Sequence, residues 1–371
     1  MLQDDFFLSL ENHYKSNLPF VAYRHPNNHK IKGFLQTTSD LYLSQNFKES
    51  GFVFAPFNGL IKTVILPLEH CEILSCNSEI KTSNIEFNNR GNYQVDGKEQ
   101  HIELVQKGVE SIKKGDFKKV VLSRCETIEF SKQLSISVFK QLLQTYSNAF
   151  VYCWFHPDVG LWLGATPEVL LSITGNHLKT MALAGTQRYK DSLVVNWGEK
   201  ELEEQKFVTD FIEEQLKPLV SHIKISEPKT VRAGNLLHLQ SDINCVLETD
   251  LQTVLEHLHP TPAVCGLPVN TSKTFILNHE YYHRDYYTGF LGELNLKETT
   301  SRNTNRRNVE NNAYSSVKTV SHLYVNLRCM QIKNNQALIY VGGGVTKDSN
   351  PEDEWQETVS KAETMKRVLM S

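Results

Sequence analysis

The stretch that decides the fold begins at Tyr324-Val325-Asn326-Leu327-Arg328-Cys329-Met330-Gln331. This run and Ala337-Leu338-Ile339-Tyr340-Val341 predict two paired strands joined by Lys333-Asn334-Asn335-Gln336. Three glycines, 342–344, follow directly. Asn350-Pro351 predicts the start of the last helix, because proline is favoured in the first helical turn. Paired strands that lead into a packed helix are typical of an α+β protein.

Outward from this stretch, strands and helices are mixed along the whole chain. Apolar spacing predicts one helix over 101–114 and another over about 200–220, with strands at 119–126, 149–155, 161–164 and 169–173. Short strand-like pieces fill residues 1–95. We expect one large α+β domain in which 1–95 is a β-rich N-terminal part and 96–371 is the main part.

Composition excludes several classes of protein. The 371 residues are 40% hydrophobic and carry a net charge of −3, so no basic face for nucleic acid is expected. No apolar run reaches the ~20 residues that a membrane span needs, which predicts a cytoplasmic protein. The seven scattered cysteines indicate reduced, buried side chains rather than disulfides or a zinc site. No coiled-coil heptads occur, and a monomer is expected.

Two pairs of glutamates have the spacing of metal ligands. Glu201 and Glu204 lie three apart on one predicted helix, and Glu354 and Glu357 lie three apart on another. This spacing puts both carboxylates of a pair on one side of a helix, so two facing helices could hold Mg²⁺. Each pair alone is more often a solvated helix face.

The glycine run and Arg328 are candidates for binding an anion. Backbone N–H groups at Gly342-Gly343-Gly344 can approach an anion closely, although a turn or bulge is the more frequent explanation of such a run taken alone. Arg328 alternates with apolar residues, where an unpaired guanidinium is costly. It therefore needs a carboxylate, and the sequence leaves open whether the protein or a ligand supplies it.

Three further side chains have both a chemical and an ordinary interpretation. Lys119 begins an apolar strand, where burial would favour the neutral amine of a general base, whereas a strand-edge lysine usually extends to solvent. Glu168 follows Pro167 on a turn between apolar strands, so it is either a protonated acid or a turn cap. His238 lies in an apolar run and is more often a satisfied core histidine.

Taken in order, five motifs resemble the chorismate-utilising enzymes, and within that family the isochorismate synthases. They are Lys119-Val120-Val121-Leu122-Ser123-Arg124, Gly164-Ala165-Thr166-Pro167-Glu168, His259-Pro260-Thr261-Pro262-Ala263-Val264-Cys265-Gly266, Leu327-Arg328-Cys329 with Gly342-Gly343-Gly344-Val345, and Glu354-Trp355-Gln356-Glu357-Thr358. The resemblance covers about residues 96–371. It implies a pair of stacked antiparallel sheets with helices outside and the active site between the sheets.

The resemblance also implies a role for each candidate residue. Lys119 would activate the water that adds at ring carbon 2 of chorismate, and Glu168 would protonate the hydroxyl that leaves ring carbon 4. Mg²⁺ would be held chiefly by Glu204 and Glu357, with Glu201 and Glu354 beside them. Arg328, Gly344 and Tyr324 would hold the pyruvyl carboxylate of the substrate. Gly185 and Thr186 would lie along its ring, and His238 would lie near the ring carboxylate.

Two positions separate the branches of this family. Lys119 disfavours the aminating anthranilate and aminodeoxychorismate synthases, which generally do not use that base. Ala263 disfavours salicylate synthases, which tend to carry threonine there. The resemblance therefore implies an isochorismate synthase for menaquinone or siderophore biosynthesis. The alternatives are a salicylate synthase, an anthranilate or aminodeoxychorismate synthase component I, and a catalytically silent chorismate-binding module.

Two features depart from the pattern of that family. Glu204-Gln205 stands where a Glu-His pair is usual. The polar segment 297–319 has little periodicity and predicts a loop that is longer than expected.

Overall fold

Two antiparallel sheets lie face to face in the computed structural model, with helices on their outer faces. The structure describes residues 1–78, 97–130, 135–190, 192–233, 236–301 and 315–369. The fold is α+β, as the sequence predicted.

Nineteen strands are present in the described residues. They are β1 Phe20–Arg24, β2 Lys30–Gln36, β3 Tyr42–Leu43, β4 Gly51–Ala55, β5 Val64–Pro67, β6 Cys71–Asn77, β7 Lys119–Glu129, β8 Phe150–His156, β9 Gly160–Thr166, β10 Val169–Thr174, β11 His177–Arg188, β12 Val220–Ile225, β13 Lys229–Ala233, β14 Leu236–Leu247, β15 Gly266–Leu267, β16 Phe290–Ser301, β17 Ser315–Val325, β18 Cys329–Lys333 and β19 Gln336–Val345. The nine-stranded sheet has the order β15-β7-β19-β18-β9-β8-β1-β2-β6. The ten-stranded sheet has the order β12-β14-β11-β10-β17-β16-β4-β5-β3, and β13 pairs with β14.

Seven α-helices cover the outer faces of the sheets in the same part of the chain. They are α1 Gln3–Lys15, α2 Lys98–Lys114, α3 Ser135–Thr145, α4 Glu199–Leu216, α5 Leu251–Leu258, α6 Val269–His279 and α7 Pro351–Leu369. The helices α1, α3 and α7 pack on the outer face of the nine-stranded sheet and form one apolar core with it. The helices α4 and α5 pack on the outer face of the ten-stranded sheet and form a second apolar core. The predicted helices at 101–114, 200–220 and from Pro351 are confirmed, with small shifts at their ends.

An aromatic core fills the space between the sheets. Strand β8 shows how it forms, because successive side chains of a strand point to opposite faces. Phe150, Tyr152 and Trp154 belong to the core between the sheets, whereas Val151, Cys153 and Phe155 belong to the core under the outer helices. Both faces of this strand are therefore apolar, which explains its unbroken hydrophobic sequence.

The predicted strand over 324–331 is wrong in one respect that matters for function. The ten-stranded sheet ends at Val325, and the nine-stranded sheet begins at Cys329. Between them the chain crosses from one sheet to the other, and Arg328 has a φ of 48°. The hairpin predicted at Lys333–Gln336 is confirmed, with Asn334 and Asn335 at positive φ, as a tight two-residue turn requires.

The N-terminal strands belong to both sheets. Strand β1 pairs with β8, and β4 pairs with β16. The division at residue 95 stays a prediction, and residues 79–96 lie outside the described residues. The loop predicted over 297–319 is wrong at its ends, where β16 and β17 pair from Lys297 to Ser301 with 315–319, and 302–314 lies outside the described residues.

Candidate active site

A cavity opens between the two sheets close to the crossing at Arg328. Its volume is about 790 Å³, which includes its open mouth. Strands β7 and β19 form one wall, and β11 and β14 form another. The helices α4 and α7 each supply a glutamate, and loops at 167–168, 263–264, 287–288 and 327–328 complete the lining.

Lys119 extends into this cavity from the first residue of β7. Only 2% of its surface is exposed, so the solvent-facing interpretation of this lysine does not apply. Its Nζ lies 3.8 Å from Oε2 of Glu204, and its backbone carbonyl accepts a hydrogen bond from Ser272 Oγ. The strand therefore delivers one buried amine to the cavity, beside a carboxylate that lines the same space.

Glu168 lies on the turn between β9 and β10, where the chain passes from one sheet to the other. Burial raises the pKa of its carboxyl to about 7, and the positive charges of Lys119, Arg328 and Lys361 oppose that rise. No ion pair of the described residues includes this side chain. The cavity therefore contains a carboxyl group that is still partly protonated at neutral pH.

Arg328 has no carboxylate within 4.0 Å among the described residues. Its Nη2 donates to His238 Nε2 at 3.3 Å, and its Nη1 donates to Thr364 Oγ1 at 3.4 Å. The described part of the chain therefore supplies no carboxylate partner for this arginine. Because a half-buried guanidinium without a counter-ion is costly, this group suits an anionic ligand.

His238 holds Arg328 in place. Its Nδ1 lies 2.8 Å from the carbonyl oxygen of Gly185, which can only accept, so Nδ1 carries the proton. Its Nε2 then accepts from Arg328. Burial, followed by the charge of Arg328, lowers the pKa of His238 to about 3, so the ring is neutral. The histidine lines the cavity, but both of its nitrogens already have partners.

The glycine run is the end of β19 and not a separate turn. Gly342, Gly343 and Gly344 pair with Ser123, Leu122 and Val121 of β7. On the other side, β18 pairs with β19 only as far as Tyr340. A Cβ on Gly344 would lie 3.1 Å from Lys119 Cε and 3.5 Å from Glu204 Oε2. The absent side chains therefore leave space for the lysine and the carboxylates.

Glu204 and Glu357 are the two glutamates that line the cavity, one from α4 and one from α7. The Lys361 ammonium lies 2.7 Å from Glu357, and it also donates to the carbonyl oxygen of Gly342. Burial alone would raise the pKa of Glu357, but Lys361 outweighs it, so the pKa lies below the ordinary value. An ionised carboxylate is therefore available at this wall.

Glu201 and Glu354 lie beside the cavity and do not line it. Glu354 Oε1 pairs with Lys200 Nζ at 2.7 Å and accepts a hydrogen bond from Ser349 Oγ. Its other oxygen is buried, has no hydrogen-bond partner among the described residues, and lies 3.3 Å from where a Cβ on Gly343 would stand. Burial is the main cause that raises the pKa of Glu354, and Glu357 adds to it. Glu201 packs against Gly185, which has a φ of 72°.

A second cluster of possible metal ligands lies outside the cavity. Among the described residues, the ligand atoms of Glu293, Glu298 and His322 lie within 4.8 Å of one another. Lys32 Nζ lies 2.6 Å from Glu293 Oε1, and His25 Nε2 lies 3.1 Å from Oε2. Burial opposes the charged form of Glu293, but its contacts with His25 and Lys32 outweigh burial and hold its pKa well below the usual range. Glu293 already has its counter-ions, so we regard this cluster as a structural ion network.

Most of the sequence-derived candidates line the one cavity. They are Lys119, Glu168, Gly185, Thr186, Glu204, His238, Ala263, Arg328, Gly344 and Glu357. Tyr324 is not among the lining residues. It faces the aromatic core, with its ring 4.1 Å from that of Phe150 and its hydroxyl 2.9 Å from His25 Nδ1.

Sequence reasoning missed four polar residues that line the cavity, one of which, Tyr340, lies on the predicted strand 337–341. Lys361 lies one helical turn after Glu357, so their spacing of four on α7 was a usable signal. Tyr287 and Thr288 come from the segment after α6, where no periodicity or motif marked them.

Comparisons with known proteins show the family of this chain. A family model described as chorismate binding enzyme matches residues 60–301, and a second with the same description matches residues 313–367. The isochorismate synthase MenF of Escherichia coli K12 is 27% identical over 277 residues, which cover 72% of this chain and 59% of that protein. DhbC of Bacillus subtilis, also an isochorismate synthase, is 28% identical over 287 residues, covering 71% of this chain and 66% of that protein.

Solved structures show the same fold. A 2,3-dihydroxybenzoate-specific isochorismate synthase, DhbC from Bacillus anthracis, superposes with a TM-score of 0.76 at 22% identity and covers 98% of this chain and 99% of that one. The menaquinone-specific isochorismate synthase MenF from Escherichia coli gives 0.74 at 21% identity, covering 95% and 88%. Anthranilate synthase component I from Streptococcus pneumoniae gives 0.60 at 16% identity, covering 94% and 92%.

The matched region spans about three fifths to two thirds of the length of the curated relatives, 59% of one and 66% of the other. Within the described residues, no helix is both long enough and apolar enough to cross a membrane.

Proposed function

Because the chain belongs to the chorismate-binding enzyme family, we propose that it is an isochorismate synthase, which converts chorismate to isochorismate. Water adds at ring carbon 2, and the hydroxyl at ring carbon 4 leaves. One observation carries the proposal. A buried lysine, a carboxylic acid with a pKa raised to about 7 and an arginine without a carboxylate partner among the described residues line the same cavity.

The proton transfers follow from the two buried groups. Lys119 takes a proton from the attacking water. Glu168 gives its proton to the departing hydroxyl, and the new bond at ring carbon 2 forms as the bond at ring carbon 4 breaks. The shift of the ring double bonds joins the two events. Burial of Glu168 supports the acid role, since it keeps the carboxyl partly protonated at neutral pH.

The substrate carries two carboxylates, and the cavity contains cationic and backbone donors for them. Arg328, oriented by His238, is the proposed partner of the pyruvyl carboxylate. The free edge of β19 at Gly344 adds backbone donors there. Gly185 and Thr186 are proposed to lie along the ring. For Tyr324 we propose no direct contact, because its hydroxyl already contacts His25.

The residues present fit a magnesium ion. Glu204 and Glu357 line the cavity, and Glu354 has a buried oxygen without a partner. Glu201 lies behind Glu204 on the same helix. Magnesium takes one or two protein carboxylates and keeps several waters, which agrees with glutamates that do not form a closed cage. When bound, the ion would neutralise the ring carboxylate and help to orient the substrate.

We further propose that the product supplies menaquinone or catechol siderophore biosynthesis. The relatives with solved structures are of both kinds, one menaquinone-specific and one 2,3-dihydroxybenzoate-specific.

The test is to incubate the purified protein with chorismate and Mg²⁺, without glutamine or ammonia, and to separate the products by chromatography. Isochorismate that no longer forms when a chelator is added supports the proposal. Salicylate with pyruvate would instead indicate a salicylate synthase. Unchanged chorismate would indicate a silent binding module or an enzyme that requires an amine donor.

A further inference from the structure

Arg284 lies behind the wall of the cavity, in the segment that follows α6. It is 3% exposed and is not among the residues that line the cavity. The proposed reaction gives it no role. Its contacts nevertheless lead to three separate parts of the lining.

The first two contacts are to backbone carbonyls. Arg284 Nη2 donates to the carbonyl oxygen of Val121 at 2.7 Å, and Nη1 donates to that of Val264 at 2.9 Å. Val121 is two residues after Lys119 on β7, and Val264 directly follows Ala263. Both valines line the cavity. The third contact is from Nη1 to Thr288 Oγ1 at 3.2 Å, and that threonine lines the cavity as well.

The guanidinium connects two chain segments at the place where their own backbone pairing stops. Strands β7 and β15 pair at Val120 with Gly266, and Val121 N donates to the carbonyl oxygen of Cys265. One residue further along, the carbonyls of Val121 and Val264 are both acceptors and cannot bond to each other. Two buried acceptors require a donor between them. Arg284 is that donor.

Glu280 fixes the guanidinium in this position. Its oxygens lie 2.8 Å from Arg284 Nε and 2.6 Å from Nη2, and both side chains are about 2% exposed. One of the same oxygens accepts from the backbone N and the Oγ of Ser123, at 2.8 and 2.7 Å. The ion pair is therefore anchored to the strand that carries Lys119. It is also joined to the loop that carries Ala263.

We propose that Arg284, held by Glu280, is a positioning residue that sets the distance between Lys119 and the Ala263 loop. This inference rests on the proposed function, because those two residues are the base and the branch-determining position of the reaction. Lysine cannot reproduce the arrangement. Its single ammonium lacks the planar fork that reaches Glu280, Val121 and Val264 together.

The experiment compares Arg284→Lys and Glu280→Gln with Arg24→Lys as the matched control. Arg24 is 4% exposed and also donates to two backbone carbonyls, those of Leu143 and Tyr146, neither of which lines this cavity. For each variant we would measure the free energy of unfolding in denaturant and the Kd of chorismate, the latter on a timescale shorter than one turnover. We would also measure kcat and the ratio of pyruvate to isochorismate.

We expect Arg284→Lys and Arg24→Lys both to lose stability. Of these two, only Arg284→Lys should lose activity per folded molecule. A displacement of about 1 Å at a reacting group lowers the rate on the order of 100-fold, so kcat should fall roughly 10- to 100-fold while the Kd of chorismate changes little. Hydrogen exchange should become faster at residues 119–123 and 261–267. Glu280→Gln should show a smaller loss of the same kind, and it is the variant to use should Arg284→Lys not fold.

An Arg284→Lys or Glu280→Gln protein with the kcat of Arg24→Lys and unchanged exchange at both segments would overturn the positioning role. Failure of the proposed function appears differently, as wild-type protein that makes no isochorismate. In that case, the exchange rates at residues 119–123 and 261–267 still report whether Arg284 joins the two segments.

Discussion

Replacing Glu168 with glutamine should remove the acid of the proposed reaction and change little of the shape of the cavity. The neutral amide has the size of the protonated carboxyl but cannot give up a proton to the departing hydroxyl. Loss of a general acid costs about 10² to 10⁴ in rate, so kcat should fall within that range. The Kd of chorismate should stay near that of the wild type, because the variant keeps the charge that the protonated side chain presents.

The pH dependence gives this prediction a second measure. With a pKa of about 7, the carboxyl is half protonated at neutral pH, and kcat/KM of the wild type should fall roughly tenfold for each pH unit above that value. Glu168→Asp retains an acid and should retain the decline. A glutamine variant with more than a tenth of the wild-type rate, or with the same decline at alkaline pH, would refute the acid role.

The free energy of unfolding without substrate tests the burial of Glu168 independently of activity. The pKa of Glu168 in the folded protein lies above the value of about 4.3 in an unfolded chain. Between about pH 4.3 and pH 7 the native state therefore binds more protons than the unfolded state. Its contribution to stability therefore declines as the pH rises from about 4.3 to 7. Full ionisation costs up to about 4 kcal/mol. Glu168→Gln should match the wild type near pH 4 and exceed its free energy of unfolding at pH 8. Equal stability at pH 8 would contradict the desolvated environment.

Lys119→Ala should abolish product formation while the chorismate Kd, measured by calorimetry, stays near that of the wild type; loss of binding would instead make this lysine a positioning group. Ala263→Thr should release some pyruvate, detected by a coupled lactate dehydrogenase assay, and a folded variant that releases none removes the branch argument. Glu204→Gln and Glu357→Gln should each weaken Mn²⁺ binding, measured by electron paramagnetic resonance, by at least ~10-fold, and unchanged affinity would exclude them as ligands. Arg328→Lys should raise the Kd of chorismate because a point charge replaces a fork that can bind both carboxylate oxygens, and an unchanged Kd would place the pyruvyl carboxylate elsewhere.

Local patterns predicted the parts of the fold that depend on nearest neighbours. The hairpin at Lys333–Gln336 and the start of α7 at Pro351 depend on turn residues and on proline, whose effects act within a few positions. Burial of Lys119 was also consistent with its apolar strand. The stacked arrangement of the sheets came from the resemblance to a family, since strand periodicity does not specify which sheet a strand joins.

The break at Arg328 could not be predicted in the same way. Alternation continues through 324–331, so nothing local marks the crossing from one sheet to the other. That crossing separates Tyr324, which faces the aromatic core, from Arg328, which reaches the cavity. Arg284 shows the same limit for long-range contacts. Its partners lie 20 and 163 residues away in sequence, and no spacing rule connects them.

The central claim is that this chain adds water to chorismate and retains the pyruvyl group. Its most direct test is to run the reaction with Mg²⁺ in water enriched in oxygen-18 and to examine the product by mass spectrometry. The account predicts isochorismate that carries one solvent-derived oxygen at ring carbon 2, with no pyruvate released. Isochorismate without the label, or salicylate with pyruvate as the main products, would contradict it.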